Sequence, residues 1–157
     1  MTPPEAMTPT EENADVVIRA SFETYTEGAT EEIDELVSEE YVLHDPTSPE
    51  EIRGREEFRE HVESIRSAFP DLSATIEHIV AKDDSVAVRF TVRGTYEGAE
   101  SLPGLDVEPT GESFEIDGME FDRLEDGMLA ETWLSLDTYG LMEQLGVLSE
   151  AGAPGTE

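Results

Sequence analysis

The chain is 157 residues long and 37% hydrophobic, with 39 Asp and Glu against 9 Lys and Arg, a formal net charge of −30. This length supports one domain with its own core; the charge leaves no basic patch for nucleic acid, and the absence of cysteine removes disulfide and thiolate chemistry. No apolar run approaches the ~20 residues of a membrane span and no signal-peptide pattern opens the chain, so the expectation is a cytoplasmic protein with no membrane partner. The acids are spread through segments of regular hydrophobic periodicity, which suits a surface solvated for a salt-rich cytoplasm, as in a halophile.

Residues 1–7 are Pro-rich and read as a loose, disordered tail. Thr8, Pro9 and Glu11 form a capping box ahead of the stripe Val17, Ile18, Phe22 and Tyr25, so the spacing predicts a helix over about 9–26. Thr30 reads as the cap of a short second helix that buries Ile33, Leu36 and Val37. "YVLHDP" is an extended segment stopped by Pro46. A third helix over about 54–69 carries Phe58, Val62, Ile65 and Phe69 and ends at Pro70.

The period then changes to two. Leu72, Ala74, Ile76, His78 and Val80 alternate, as do Val86, Val88, Phe90 and Val92 beyond the turn "KDDS". A Gly/Pro-rich loop over 98–111 precedes "SFEIDGMEFDRL" and "MLAETWLSLD", joined by the hairpin signal "EDG". A short helix over 138–145 and a loose tail over 148–157 finish the chain, leaving one domain over 8–147. Helices followed by antiparallel strands is an α+β order: three N-terminal helices packed on one face of a strongly curved, mostly antiparallel sheet, a cone whose mouth suits a small molecule.

On the last strand, alternation puts Glu131, Trp133, Ser135 and Asp137 on one face. If that face lines the cone, Asp137 is a carboxylate beside an indole, with a pKa raised by burial toward use as a proton shuttle; its place just before a helical run equally suits an N-cap. Glu131 is then a pocket acid or the partner of Arg89 or Arg93. His44 either reaches the cavity, to hydrogen-bond Asp137 or a bound carbonyl, or stays outside it, and Asp45 starts the turn at Pro46. Tyr25 and Tyr41 offer hydroxyls to a ligand, with Phe22, Phe58, Phe69, Phe90 and Met119 as its walls, or all of these serve as plain core. His61 and His78 read as structural, and three scattered histidines give no metal signature.

Together "YVLHDP", "AFPDL", "RGTYEG", "PTG" and the run "W…D…LMEQLG" make the chain resemble the SnoaL-like polyketide cyclases, or ester cyclases, of the nuclear-transport-factor-2-like superfamily, over roughly residues 10–147. The resemblance implies a cofactor-free enzyme in which an aspartate deprotonates a carbon flanked by carbonyls and the enolate closes a ring by aldol addition. It carries the catalytic aspartate onto Asp137, with His44 beside it and Trp133 as a cavity wall. Glu131, Arg89, Met119, Phe58 and Tyr25 are the further substrate-binding candidates. The family's strand histidine has no counterpart over 113–124, which leaves a non-catalytic small-molecule binder of the same fold as the alternative. Exposed alternating apolar residues on the strands suit a homodimer through the open sheet face.

Overall fold

The capping box forms as the spacing predicts: in the computed structural model, Thr8 Oγ1 accepts from the Glu11 amide and Glu11 Oε1 from the Thr8 amide. The structure describes residues 8–98 and 108–146; the expected tails and most of the 98–111 loop lie outside the described residues. Helix α1 (Pro9–Ile18) passes without a break through a π-helical turn (Arg19–Glu23) into α2 (Thr24–Glu27), which Gly28 ends at φ 74°. The predicted single helix is thus one rod with a widened turn in it. A 3₁₀ turn leads into the short helix α3 (Ile33–Leu36), and Val37 already opens the first strand.

The strands are β1 (Val37–His44), β2 (Ile52–Arg53), β3 (Ser73–Lys82), β4 (Ser85–Thr95), β5 (Ser113–Glu125) and β6 (Met128–Leu136). Helix α4 (Gly54–Ala68) follows β2, and α5 (Thr138–Leu145) follows β6. One six-stranded sheet has the order β2-β1-β6-β5-β4-β3, with β1 parallel to β6 and every other pair antiparallel. Asp126 and Gly127, both at positive φ, make the β5–β6 turn, as the "EDG" signal predicts. The architecture is α+β, helices against one face of a mixed sheet.

That inner face carries the core. Val86, Val88 and Phe90 of β4 meet Phe22, Val17 and Ala20 of the first rod, and Phe58 and Val62 of α4 pack against Tyr41 and Leu43 of β1. A second cluster of Phe69, Tyr96, Phe114, Ile116, Leu141 and Leu145 seats α5 on the sheet. The alternation expected along β3 breaks once. A bulge between Ile76 and His78 shifts the register, so Ile79 and Ala81 continue the inner face while His78 and Val80 turn outward. Gly118 on β5 is a close approach: a Cβ there would lie 2.7–2.8 Å from the Phe90 ring and the Leu136 side chain. Among the described residues no helix is long and apolar enough to cross a membrane.

Candidate functional site

The cavity lies between the first rod and the inner face of the sheet, with a volume of about 130 Å³. An apolar cavity of ~150 Å³ holds a benzene ring, so this one fits a single small ring. Phe22, Phe69, Phe90, Phe114 and Ile116 wall it, with Leu134 and Leu136 of β6 beside them. Its polar groups are few: Ser21, Tyr25, Asp45, Thr47, Thr26 and Glu120. No Lys or Arg lines it among the described residues. Among the same residues no cluster of three His, Asp or Glu could hold a metal ion.

The π-helical turn explains how so many groups of one rod reach the cavity. A π turn inserts extra chain into the helical repeat and shifts the phase of the residues after it. Ser21 and Phe22 lie in it, Tyr25 and Thr26 come just beyond it, and all four line the cavity. The Tyr25 ring meets His61 edge-on at 6.0 Å and Phe58 at 6.0 Å. Its hydroxyl has no hydrogen-bond partner among the described residues. Burial, then the charges of Asp45 and Glu120, push its pKa well above the usual phenol value, so it remains an O–H donor.

Asp45 enters from the end of β1. Its Oδ1 accepts from the Thr47 amide at 2.7 Å and the Thr47 hydroxyl at 2.6 Å, the expected turn at Pro46. Its Oδ2 lies 3.1 Å from His61 Nε2, both side chains being nearly buried. Burial pushes this carboxyl up, but the bonds from His61 and Thr47 outweigh it, and its pKa falls below the ordinary value. Asp45 is therefore the ionised carboxylate of the cavity.

Glu120 is its opposite. It is 7% exposed, and burial, then the charge and hydrogen bond of Asp122, hold its pKa well above the carboxylate range, against a small downward pull from Ser21. Asp122, fully buried, is raised by burial to about 6 while its bonds to Glu120 and Thr132 pull it back. Two buried carboxyls this close cannot both ionise, so they share a proton and titrate as a pair.

The face assigned to Asp137 and Trp133 from the sequence is the wrong one. Trp133 is 42% exposed on the outer surface of the sheet, beside Phe121 and Met119. Asp137 is exposed and caps α5, its Oδ1 accepting from the Gly140 amide at 2.9 Å. The cause is the pleat: Thr132, Leu134 and Leu136, the other phase of the strand, hold the inner face, so Glu131 and Trp133 must point out. His44 stacks on Trp133 at 5.5 Å and sits between Glu131 (2.7 Å) and Glu51 (3.0 Å), away from the cavity wall. Glu131 pairs with His44 and Arg123, not with Arg89 or Arg93. Arg89 bonds His78 on the outer face, Met119 is 57% exposed, and Phe58 is buried core. Of the candidates the sequence singles out, Tyr25, Phe22, Phe69 and Phe90 line the cavity, and the Tyr41 hydroxyl is taken by Thr132.

Asp45, Glu120 and Asp122 were missed as chemical groups. For the last two a signal existed. Phe114, Ile116, Glu120, Asp122 and Leu124 share one phase of β5, which puts two acids on a core face. His61 likewise falls in phase with Phe58 and Ile65 on α4.

The model of the SnoaL-like polyketide cyclase family matches residues 15–145. No curated protein matches the chain significantly. Among solved structures, IdmH from Streptomyces antibioticus, named as a candidate polyketide cyclase, is 32% identical with a TM-score of 0.68, covering 86% of this chain and 99% of its own. AclR from Streptomyces galilaeus, named as a candidate hydroxylase, is 25% identical with a TM-score of 0.70, covering 89% of this chain and 88% of its own. A SnoaL-like protein from Jannaschia, 20% identical, shares the fold at a TM-score of 0.75 over 97% of this chain and 99% of its own.

The carboxyl pair has a thermodynamic signature. The unfolded chain releases these protons near pH ~4, whereas folded Asp122 holds its own to about 6. In that interval the folded state binds more protons, so the stability the pair contributes is full below about pH 4 and is lost as pH rises through about 6. Asp122→Asn, which cannot charge, is expected to gain on the wild type by about 1–3 kcal/mol across this window. Urea denaturation at each pH measures it, and a stability difference flat in pH contradicts the assignment.

Proposed function

Because the chain belongs to the SnoaL-like polyketide cyclase family, we propose that it is a cofactor-free acid–base enzyme acting on a small, largely apolar carbonyl compound. What carries this reading is that two carboxyls on one apolar cavity are pushed in opposite directions: His61 and Thr47 hold the Asp45 pKa below its ordinary value, and burial beside Asp122 holds that of Glu120 well above it. Carboxyls pushed apart in this way are the usual assignment of base and acid. Asp45 takes the proton from the carbon next to the carbonyl. The Tyr25 hydroxyl and the Glu120 carboxyl donate hydrogen bonds to the enolate oxygen that forms. The enolate carbon then either recovers a proton or adds to a second carbonyl of the same substrate, making a C–C bond. In the second case the new alkoxide takes the proton held by Asp45, so the proton count returns to its start. With no cation on the described cavity wall, the substrate carries no negative charge where it is bound.

The outer face of the sheet is where we place self-association. Val80, Met119, Phe121 and Trp133 are exposed there, and Arg89 among them meets no carboxylate among the described residues. In a chain of net charge −30, this apolar patch around an arginine is where two copies can approach with the least repulsion. The acidic remainder of the surface fits a salt-rich cytoplasm.

Incubating the protein with cyclohexanone in heavy water, followed by proton NMR, tests the chemistry. Exchange of the protons next to the carbonyl is expected, slowed about 10²-fold or more by Asp45→Asn and by about 10²-fold by Tyr25→Phe, and unchanged in Asp137→Ala. Ligand binding without exchange supports the non-catalytic binder instead. For assembly, sedimentation is expected to give a dimer for the wild type and a monomer for Trp133→Glu; a wild-type monomer in molar salt removes that idea.

A further inference from the structure

Behind Glu120 runs a buried chain of hydrogen bonds for which the reaction above has no use. Asp122 lies two residues along β5 on the same inner face and is fully buried. Its Oδ1 accepts from Thr132 Oγ1 of β6 at 2.5 Å, and Thr132 Oγ1 accepts from the Tyr41 hydroxyl of β1 at 2.8 Å. Tyr41 and Thr132 are each 1% exposed. The chain therefore crosses three neighbouring strands, β1, β6 and β5, out of contact with water.

Its direction runs toward Asp122, because Thr132 Oγ1 is the one acceptor the buried Tyr41 hydroxyl meets among the described residues. A phenol and a threonine hydroxyl have one each. Tyr41 spends its hydrogen on Thr132, and Thr132 spends its own on Asp122, so Asp122 Oδ1 can only accept. What remains unpartnered among the described residues is Asp122 Oδ2 and Glu120 Oε2. A single proton between the two carboxyls satisfies both atoms.

We infer that Asp122, backed by Thr132 and Tyr41, is a positioning residue that keeps the shared proton on Glu120, the carboxyl facing the cavity. The inference rests on the acid role given to Glu120 above. The relay makes Asp122 the acceptor end of the pair, so the proton resides on the partner that touches ligand. The titratable groups facing Glu120 are Asp122 on its own strand, Tyr25 from α2 and Tyr41 from β1, and Asp45 lines the same cavity. Its sheet neighbours Val88 and Leu134 carry no charge, and Ser21 from the π-helical turn does not titrate.

Infrared spectroscopy of the ligand-free protein with isotope-labelled glutamate carboxyls tests this independently of turnover. At neutral pH a protonated-carboxyl band that moves with the glutamate label is expected, and Glu120→Gln removes it. In Asp122→Asn its titration midpoint is expected to fall by about one to three pH units. Thr132→Val, which cannot donate, is expected to pass the proton to Asp122, so the band loses its sensitivity to the glutamate label; Thr132→Ser keeps the wild-type spectrum. If Asp122→Asn fails to fold, the two Thr132 variants decide. An unshifted midpoint, identical spectra for Thr132→Val and Thr132→Ser, or no labelled band in the wild type overturns the inference. A labelled band without proton exchange in the ketone assay removes the proposed reaction and leaves the relay standing.

Discussion

A carboxyl group that leaves water for an apolar cavity must either be paired or stay protonated, since a lone buried carboxylate costs several kcal/mol. This chain applies both solutions a few residues from the same cavity. Asp45 is paired: Thr47 and His61 occupy both its oxygens and hold it ionised. Glu120 is kept neutral because Asp122 beside it has the stronger claim to the charge. The inner face of β5, the seat of α4 against β1 and the path of the first rod all serve to keep these two environments apart.

The rod shows how local structure feeds the site. A regular helix from Pro9 to Glu27 would turn its residues past the cavity at a constant phase. The π-helical turn widens the helix where Ser21 and Phe22 meet the sheet, and Tyr25 comes next, beside His61. On the opposite wall, Gly118 lets the Phe90 ring and the Leu136 side chain close to within contact of the β5 backbone. The cavity is small because its walls are large: four phenylalanines and several branched aliphatics leave room for one ring. In such a space proximity alone would hold the carbonyl of the proposed substrate near Asp45, Tyr25 and Glu120.

The helices and strands were legible because their signals are local. The capping box at Thr8, the apolar stripe of α4 and the turn at Asp126 and Gly127 each depend on neighbours in the chain. Which face of the sheet looks inward was not legible from β6 alone, because both of its faces carry apolar residues. Strand β5 misleads more strongly. Its apolar residues sit at Phe114 and Ile116 in one phase and at Met119 and Phe121 in the other, so hydrophobicity changes sides at Gly118. The strand keeps one alternation of faces throughout, and Glu120 and Asp122 take the inner places that an unbroken apolar stripe would put at Met119 and Phe121. A strand that breaks its own pattern to bury acids marks a site. Asp45 and His61, sixteen positions apart in sequence, come together only through the packing of α4 on β1.

We place ligand in the inner cavity between Asp45 and Glu120, not on the outer face that carries the tryptophan. Titration with a nitrophenol, a planar mimic of an enolate, monitored by NMR of the leucine methyls and the indole N–H, tests it most directly. Saturating shifts at Leu134 and Leu136 with an unmoved Trp133 indole are predicted. Shifts at Trp133 with silent leucines would contradict the account.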